Sequence, residues 1–336
     1  MRFERVACVG SGLIGSGWAV VFASKGLEVR LHDVSGSKLK RALSAAKEGI
    51  EFLERNGLIA DEAERCVERI SASTELREAV EDADYVQESV PEDYGAKRRA
   101  FAQISKWAPR GAIIASSTSA LLISEIQKAA EEPGRCLTAH PWNPVYLMPL
   151  VELVPGELTS RSAIAAARGF MEGLGKVPVV LRRDVPGHLA NRLQAAVLRE
   201  AIDLVDEGIA TVGDVDRAVR FGPGLRWALM GPFLTFHLAG GGGGMKRSLE
   251  ALGPSYELRW RSMRAWTSIP PSARRKILRQ MGALLRDEGP GDISRRRDEA
   301  LAKLLKALGV EEGLTGRGAR KGGGGVRADG GAARGI

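Results

Sequence analysis

The chain has 336 residues, 44% of them hydrophobic and 27% charged, with a formal net charge of +8. That length permits two domains with separate cores, and the composition is that of a globular protein rather than a fibrous or disordered one. No apolar run approaches the roughly 20 residues that span a bilayer, and the opening Met1-Arg2-Phe3-Glu4-Arg5 has no signal-peptide pattern. Cys8, Cys66 and Cys136 are too few and too scattered for a disulfide framework or a metal knuckle, so we expect no metal and a reducing, cytoplasmic setting.

In chain order, a short apolar strand at 5–10 passes through a glycine turn into a helix at about 14–24, and a second strand follows at 27–33. Helices are expected at 37–56 and 62–68, then strands at 85–88, 112–116 and 136–140 with helices at 96–107 and 124–130 between them. Strands at 150–154 and 177–181, around a helix at 162–174, close the pattern. Alternating strands and helices predict a doubly wound α/β sheet, largely parallel and covered on both faces. After Arg182-Arg183-Asp184-Val185-Pro186-Gly187 the strand-like runs stop. Helical periodicity alone continues, at 189–207, 212–220, 244–252, 272–286 and 294–308, which predicts an all-α second domain. The expected division is 1–184, 185–310 and a tail at 311–336. Gly240 to Gly244 reads as a flexible connection without chemical meaning.

Much of the positive charge lies in that tail, where Arg317 onward holds five basic residues and one acid, Asp329. The tail is rich in glycine and nearly devoid of large apolar residues, so it reads as disordered. An inert solvated tail accounts for the charge better than nucleic-acid binding does.

Gly10-Ser11-Gly12-Leu13-Ile14-Gly15 ends a strand and opens a helix, the context a dinucleotide fingerprint requires. The first glycine permits the turn, the second lets backbone approach a pyrophosphate, and the third lets helix and sheet pack closely. Free N–H groups at the helix start favour the phosphates. Asp33 ends the second strand eighteen residues after Gly15, where the ribose-binding acid of a Rossmann-type domain stands. Val34-Ser35-Gly36 follow it without an arginine, which favours NAD over NADP.

A second constellation lies downstream. His140-Pro141-Trp142-Asn143-Pro144 ends one apolar run, and Glu152 returns on another twelve residues later. The prolines between them force the chain back. An imidazole held by a carboxylate is a proton shuttle near neutral pH.

With these motifs the chain resembles the 3-hydroxyacyl-CoA dehydrogenase superfamily up to about Leu308, and within it the lambda-crystallin-like branch, which includes L-gulonate 3-dehydrogenase. The resemblance rests on Gln87-Glu88-Ser89-Val90-Pro91-Glu92-Asp93, Ser116-Ser117-Thr118-Ser119, the His140 segment through Val154-Pro155, and Asn191-Arg192-Leu193-Gln194. Gly224-Leu225-Arg226-Trp227-Ala228, Gly231-Pro232 and Phe236-His237-Leu238 extend it. It implies His140 as base, Glu152 as its partner, Ser119 and Asn191 as donors to the substrate oxygen, and Glu92 and Lys97 at the nicotinamide end of NAD. It also implies a homodimer formed through the helical domain. One departure is His188, where an apolar aromatic is usual after Gly187.

Arg226 bears on the substrate. A guanidinium clamps a free carboxylate through two parallel hydrogen bonds, whereas a thioester offers no such charge. We therefore expect a small free 3-hydroxy acid, L-gulonate-like, with Asn143 and Trp142 lining its site. Alternatives are an L-3-hydroxyacyl-CoA and carnitine, whose quaternary ammonium would suit the faces of Trp142 and Trp227.

Overall fold

The computed structural model describes residues 3–286 and 288–310. The tail, 311–336, lies outside the described residues. The chain divides into two compact units, one running to Asp184 and regaining the chain from Leu305, the other spanning Val185–Leu304.

The first unit carries eight strands: β1 (Arg5–Val9), β2 (Glu28–His32), β3 (Ile70–Ser73), β4 (Tyr85–Glu88), β5 (Ile113–Ser116), β6 (Cys136–Pro141), β7 (Leu150–Pro155) and β8 (Val177–Val180). Their order in the sheet is β3-β2-β1-β4-β5-β6-β7-β8. The pairs from β3 to β6 are parallel, β6 and β7 are antiparallel, and β7 and β8 are parallel again. Every residue of β4, β5 and β6 is buried, as expected of strands covered on both faces. The covering helices are α1 (Leu13–Ser24), α2 (Gly36–Arg55), α3 (Ala63–Glu68), α4 (Leu76–Val80), α5 (Tyr94–Trp107), α6 (Ile123–Gln127) and α7 (Arg161–Gly173). Strand order reverses between β1 and β4, and a crevice opens at the carboxyl ends of strands at such a point.

The edge strand β3 and the short α4 are absent from the sequence reading. β3 has one large apolar side chain, Ile70, and no buried residue, so it shows no periodicity to find.

The second unit contains α8 (Ala190–Asp206), α9 (Val212–Val219), α10 (Leu225–Trp227), α11 (Pro232–Ala239), α12 (Gly244–Ser262), α13 (Pro271–Leu284) and most of α14 (Pro290–Ala307). The end of α14, from Leu305, groups with the first unit, whereas the sequence reading carries the helical domain to 310. Leu305 is buried, and the exposed Lys306 brings its amine 3.9 Å from where a Gly57 Cβ would stand. The glycine run is corrected. It is a packed corner joining α11 to α12, with Gly241 and Gly244 both at φ +56. A Cβ on Gly244 would stand 2.6 Å from the ring of His237, and one on Gly240 would stand 1.9 Å from the Gly244 carbonyl oxygen.

Candidate active site

The glycine turn is built as its spacing predicts. Gly10 has φ +101, and a Cβ there would press on the Ser89 carbonyl at 2.6 Å. A Cβ on Gly15 would stand 1.8 Å from the Gly10 oxygen, so helix and turn touch only because both residues lack side chains. At Gly12 a Cβ would meet no protein atom within 4 Å, which leaves backbone approach to that face open. Helices α2, α5 and α7 carry side-chain caps from Ser35, Asp93 and Ser160, but α1 starts at Gly12 with no such cap and no acid in its first turn. Its orphan N–H groups, including those of Leu13 and Ile14, suit an anion. Asp33 stands beside this turn. It accepts the Ser11 amide at 3.2 Å and the Ser11 hydroxyl at 3.0 Å on one oxygen, and the Ser35 amide at 3.2 Å on the other. Partial burial pushes its carboxyl upward, but the Ser11 and Ser35 hydrogen bonds and nearby Lys38 outweigh burial and hold it below the usual range. A charged Asp33 next to an uncapped helix start fits the ribose and pyrophosphate of NAD.

Next to the glycine turn, the ends of β4 and β5 hold a buried charge network. Lys97 donates to Glu88 at 2.9 Å and lies 3.4 Å from Glu92. Glu88 also accepts the Ser116 hydroxyl at 2.6 Å and the Val90 amide at 2.6 Å. Burial drives the Glu88 carboxyl above its ordinary range, and Lys97, Ser116 and Val90 offset this only in part. Glu92 accepts the Thr118 hydroxyl at 2.7 Å and the amides of Ser119 and Ala120 at 2.8 and 3.0 Å. Burial raises Glu92, yet the Thr118 hydroxyl, Lys97 and the two amides together bring it below the usual carboxylate value. The Ser119 hydroxyl donates to the same Glu92 oxygen at 3.3 Å, so Ser119, Glu92 and Lys97 form one cluster. Glu88 is the member that sequence reasoning missed. An acid ending a buried central strand beside the glycine turn is the signal that could have found it.

On the other side of β4, Tyr85 donates to Gln87, and Gln87 donates to the Ser117 hydroxyl at 2.8 Å and to the Ala139 carbonyl at 3.2 Å. This links the end of β5 to the residue before His140.

His140 and Glu152 are direct cross-strand partners in the antiparallel pair β6–β7. The turn forced by the prolines therefore puts both side chains on one face of the sheet. His140 Nδ1 and Glu152 Oε2 are 2.8 Å apart, and both residues are buried. A carboxylate at Nδ1 favours the tautomer with its hydrogen there, which makes Nε2 the basic nitrogen. In the connecting hairpin Asn143 is exposed, while Trp142 is half-buried with its indole N–H shielded and lacking an acceptor among the described residues. Asn191 opens α8 and Arg226 lies on α10, both in the second unit. Arg226 is exposed and makes no ion pair among the described residues. Those residues contain no group of three or more His, Cys, Asp or Glu side chains able to hold a metal, and no helix long and apolar enough to cross a membrane.

Comparison with known proteins agrees with this architecture. Residues 5–185 match the 3-hydroxyacyl-CoA dehydrogenase NAD-binding domain and residues 187–281 the C-terminal domain of the same family. The L-carnitine dehydrogenase of Oceanobacillus iheyensis is 38% identical over 302 residues, which are 90% of this chain and 97% of that protein. The L-carnitine dehydrogenase of Pseudomonas sp is 40% identical over 316 residues, covering 93% and 96%. Among solved structures, the NAD+-dependent dismutase 5-formyl-3-hydroxy-2-methylpyridine 4-carboxylic acid 5-dehydrogenase aligns with TM-score 0.77 at 26% identity, over 93% of this chain and 99% of that one. The chain belongs to the 3-hydroxyacyl-CoA dehydrogenase family and is an NAD-dependent oxidoreductase acting on a CH–OH group.

Proposed function

We propose that the chain oxidises the 3-hydroxyl of L-carnitine to the 3-keto acid. The observation that carries the chemistry is the buried 2.8 Å contact between His140 and Glu152. The names of the relatives carry the substrate, and they move carnitine ahead of the L-gulonate-like acid that the sequence alone put first. NAD supplies the hydride acceptor. His140 Nε2 takes the hydroxyl proton, and Glu152 stabilises the imidazolium that results; such a base contributes on the order of a hundredfold to ten-thousandfold in rate. Ser119, its amide held by Glu92 and its hydroxyl turned from Glu92 to the substrate, donates to the oxygen as negative charge develops on it, and Asn191 is the second proposed donor.

Arg226, exposed and without an ion-pair partner among the described residues, supplies the clamp for the substrate carboxylate. Adjacent Trp227, exposed on α10, offers an aromatic face to a quaternary ammonium, and Trp142 in the first unit is a separate candidate for that role. We further propose a homodimer formed through the second unit, whose helices expose Leu193, Leu198, Trp227, Phe233, Leu238 and Trp260.

NADH absorbance with L-carnitine, L-gulonate, 3-hydroxybutyrate and 3-hydroxybutyryl-CoA tests the substrate. Turnover of carnitine well above the others is expected; turnover of the thioester alone would overturn the free-acid reading. Arg226→Met should raise KM for carnitine about tenfold or more through loss of a bidentate ion pair, with a smaller change in kcat.

A further inference from the structure

Outside the residues assigned above, the buried cation Lys176 has no role yet. Lys176 follows α7 and precedes β8; it is 4% exposed and makes no ion pair among the described residues. Its amine donates to the backbone carbonyls of Val145 and, at 2.9 Å, Met148. Both carbonyls belong to the irregular hairpin between His140 and Glu152. The hairpin also takes Val145 against α1, where a Cβ on Gly17 would stand 2.8 Å from the Val145 Cβ, and Tyr146 against α2, where Gly49 leaves 3.4 Å. Immediately after Lys176, the Val177 amide donates to the Pro149 carbonyl at 2.8 Å, which joins β8 to the end of the same hairpin.

Burying an ammonium without a counter-ion is costly, and an apolar side chain would fill the same space without that cost. Burial pushes this amine down to about 7, and like-charged Lys25 pushes it in the same direction. What the lysine provides is two donors to carbonyls that no strand can reach. The hairpin shape in turn sets the register of β6 against β7, and a one-residue slip would turn Glu152 to the opposite face.

We infer that Lys176 is a positioning residue for the catalytic pair, holding the hairpin in the shape that brings Glu152 onto His140. This rests on the proposed role of His140 and Glu152, so one arm of the test is independent of any substrate. In Lys176→Met, the ring nitrogen resonances of His140 in 15N-histidine-labelled protein should shift relative to the wild type. The chain has four histidines, so His140→Gln assigns the signal. Independently, kcat should fall about tenfold or more, as small misplacements of catalytic groups do. KM for NAD should stay within about twofold, because the glycine turn is not touched by Lys176. A folded Lys176→Met protein with an unchanged His140 signal and unchanged kcat overturns the inference. Should that variant fail to fold, Lys176→Gln, which keeps one donor group, is read by the same criteria; its failure to fold as well would assign Lys176 to stability alone and also overturn it. A wild-type protein that turns over none of the tested acids would defeat the substrate reading and leave the resonance measurement intact.

Discussion

The two units hide their apolar residues to very different degrees. In the first, the central strands are wholly buried, and Trp18, Phe22, Tyr85 and Phe170 pack together in the core, stacked or edge-on, with ring centroids 4.8–6.0 Å apart. The ammonium of Lys97 is taken inside that unit beside two carboxylates, Glu88 and Glu92. In the second, α8 has 17 residues of which Ile202, Asp203 and Val205 alone are buried, while Phe233 is 81% exposed and Trp260 63% exposed. A sheet sandwiched between helices completes its core within one chain. The helices of the second unit leave much of their apolar surface uncovered, as the proposed homodimer requires. The proposed function puts the proton-transfer pair in the self-sufficient unit and the proposed dimer contacts in the incomplete one.

The largest expected effect tests the first half of that contrast. Glu152→Gln and His140→Ala should each lower kcat by roughly a hundredfold to ten-thousandfold, with oligomeric state and NAD affinity retained. Either variant keeping near-normal turnover in a steady-state assay would remove the chemistry from this unit.

Leu193→Glu tests the second half. A charge on this exposed α8 leucine should convert a dimer to monomer in sedimentation or light scattering, at a cost of about 2 kcal/mol or more for a central interface position. Leu158→Glu, on a similarly exposed leucine of the first unit, should leave the mass unchanged. Equal behaviour of the two variants would erase the distinction between the units.

A smaller effect sharpens the picture inside the first unit. Lys176 holds its proton less tightly when folded, at about 7, than its ordinary value of 10.5. Between those two pH values the unfolded chain binds more protons than the folded one, so stability rises with pH across this window and the cost of the buried charge is fully present below it. Lys25, brought down to about 8 by burial, acts with the same sign. The Lys176 contribution has a slope of up to about 1.4 kcal/mol per pH unit. Denaturant midpoints from pH 7 to pH 10 should therefore climb in the wild type and flatten in Lys176→Met. A midpoint that falls with pH in the wild type, or identical slopes in both proteins, would contradict this.

How far the site could be read beforehand varied by residue for physical reasons. Gly10, Gly15 and Asp33 announced themselves because backbone geometry at a strand-to-helix turn leaves few residue choices. His140 and Glu152 were legible because the prolines between two apolar runs leave the chain one course. Glu88 and Lys176 were not. A buried acid or lysine looks like any surface charge until its neighbours are known, and Glu88 meets Ser116 and Lys97 from two separate elements. The glycine run at 240–244 misled for the same reason, since a sequence cannot distinguish a loose glycine from one pressed against His237.

The amino-acid order by itself determined the doubly wound pattern, the nucleotide turn, the choice of NAD and the two residues that meet across β6 and β7. Those features follow from local periodicity and turn chemistry, which act over a few residues. The tertiary structure alone decided the added edge strand, the Glu88–Lys97–Glu92 network and the seat of Lys176 under the hairpin. Each of these depends on groups many positions apart sharing one water-free space, where charge is tolerated only beside its partner or its acceptors.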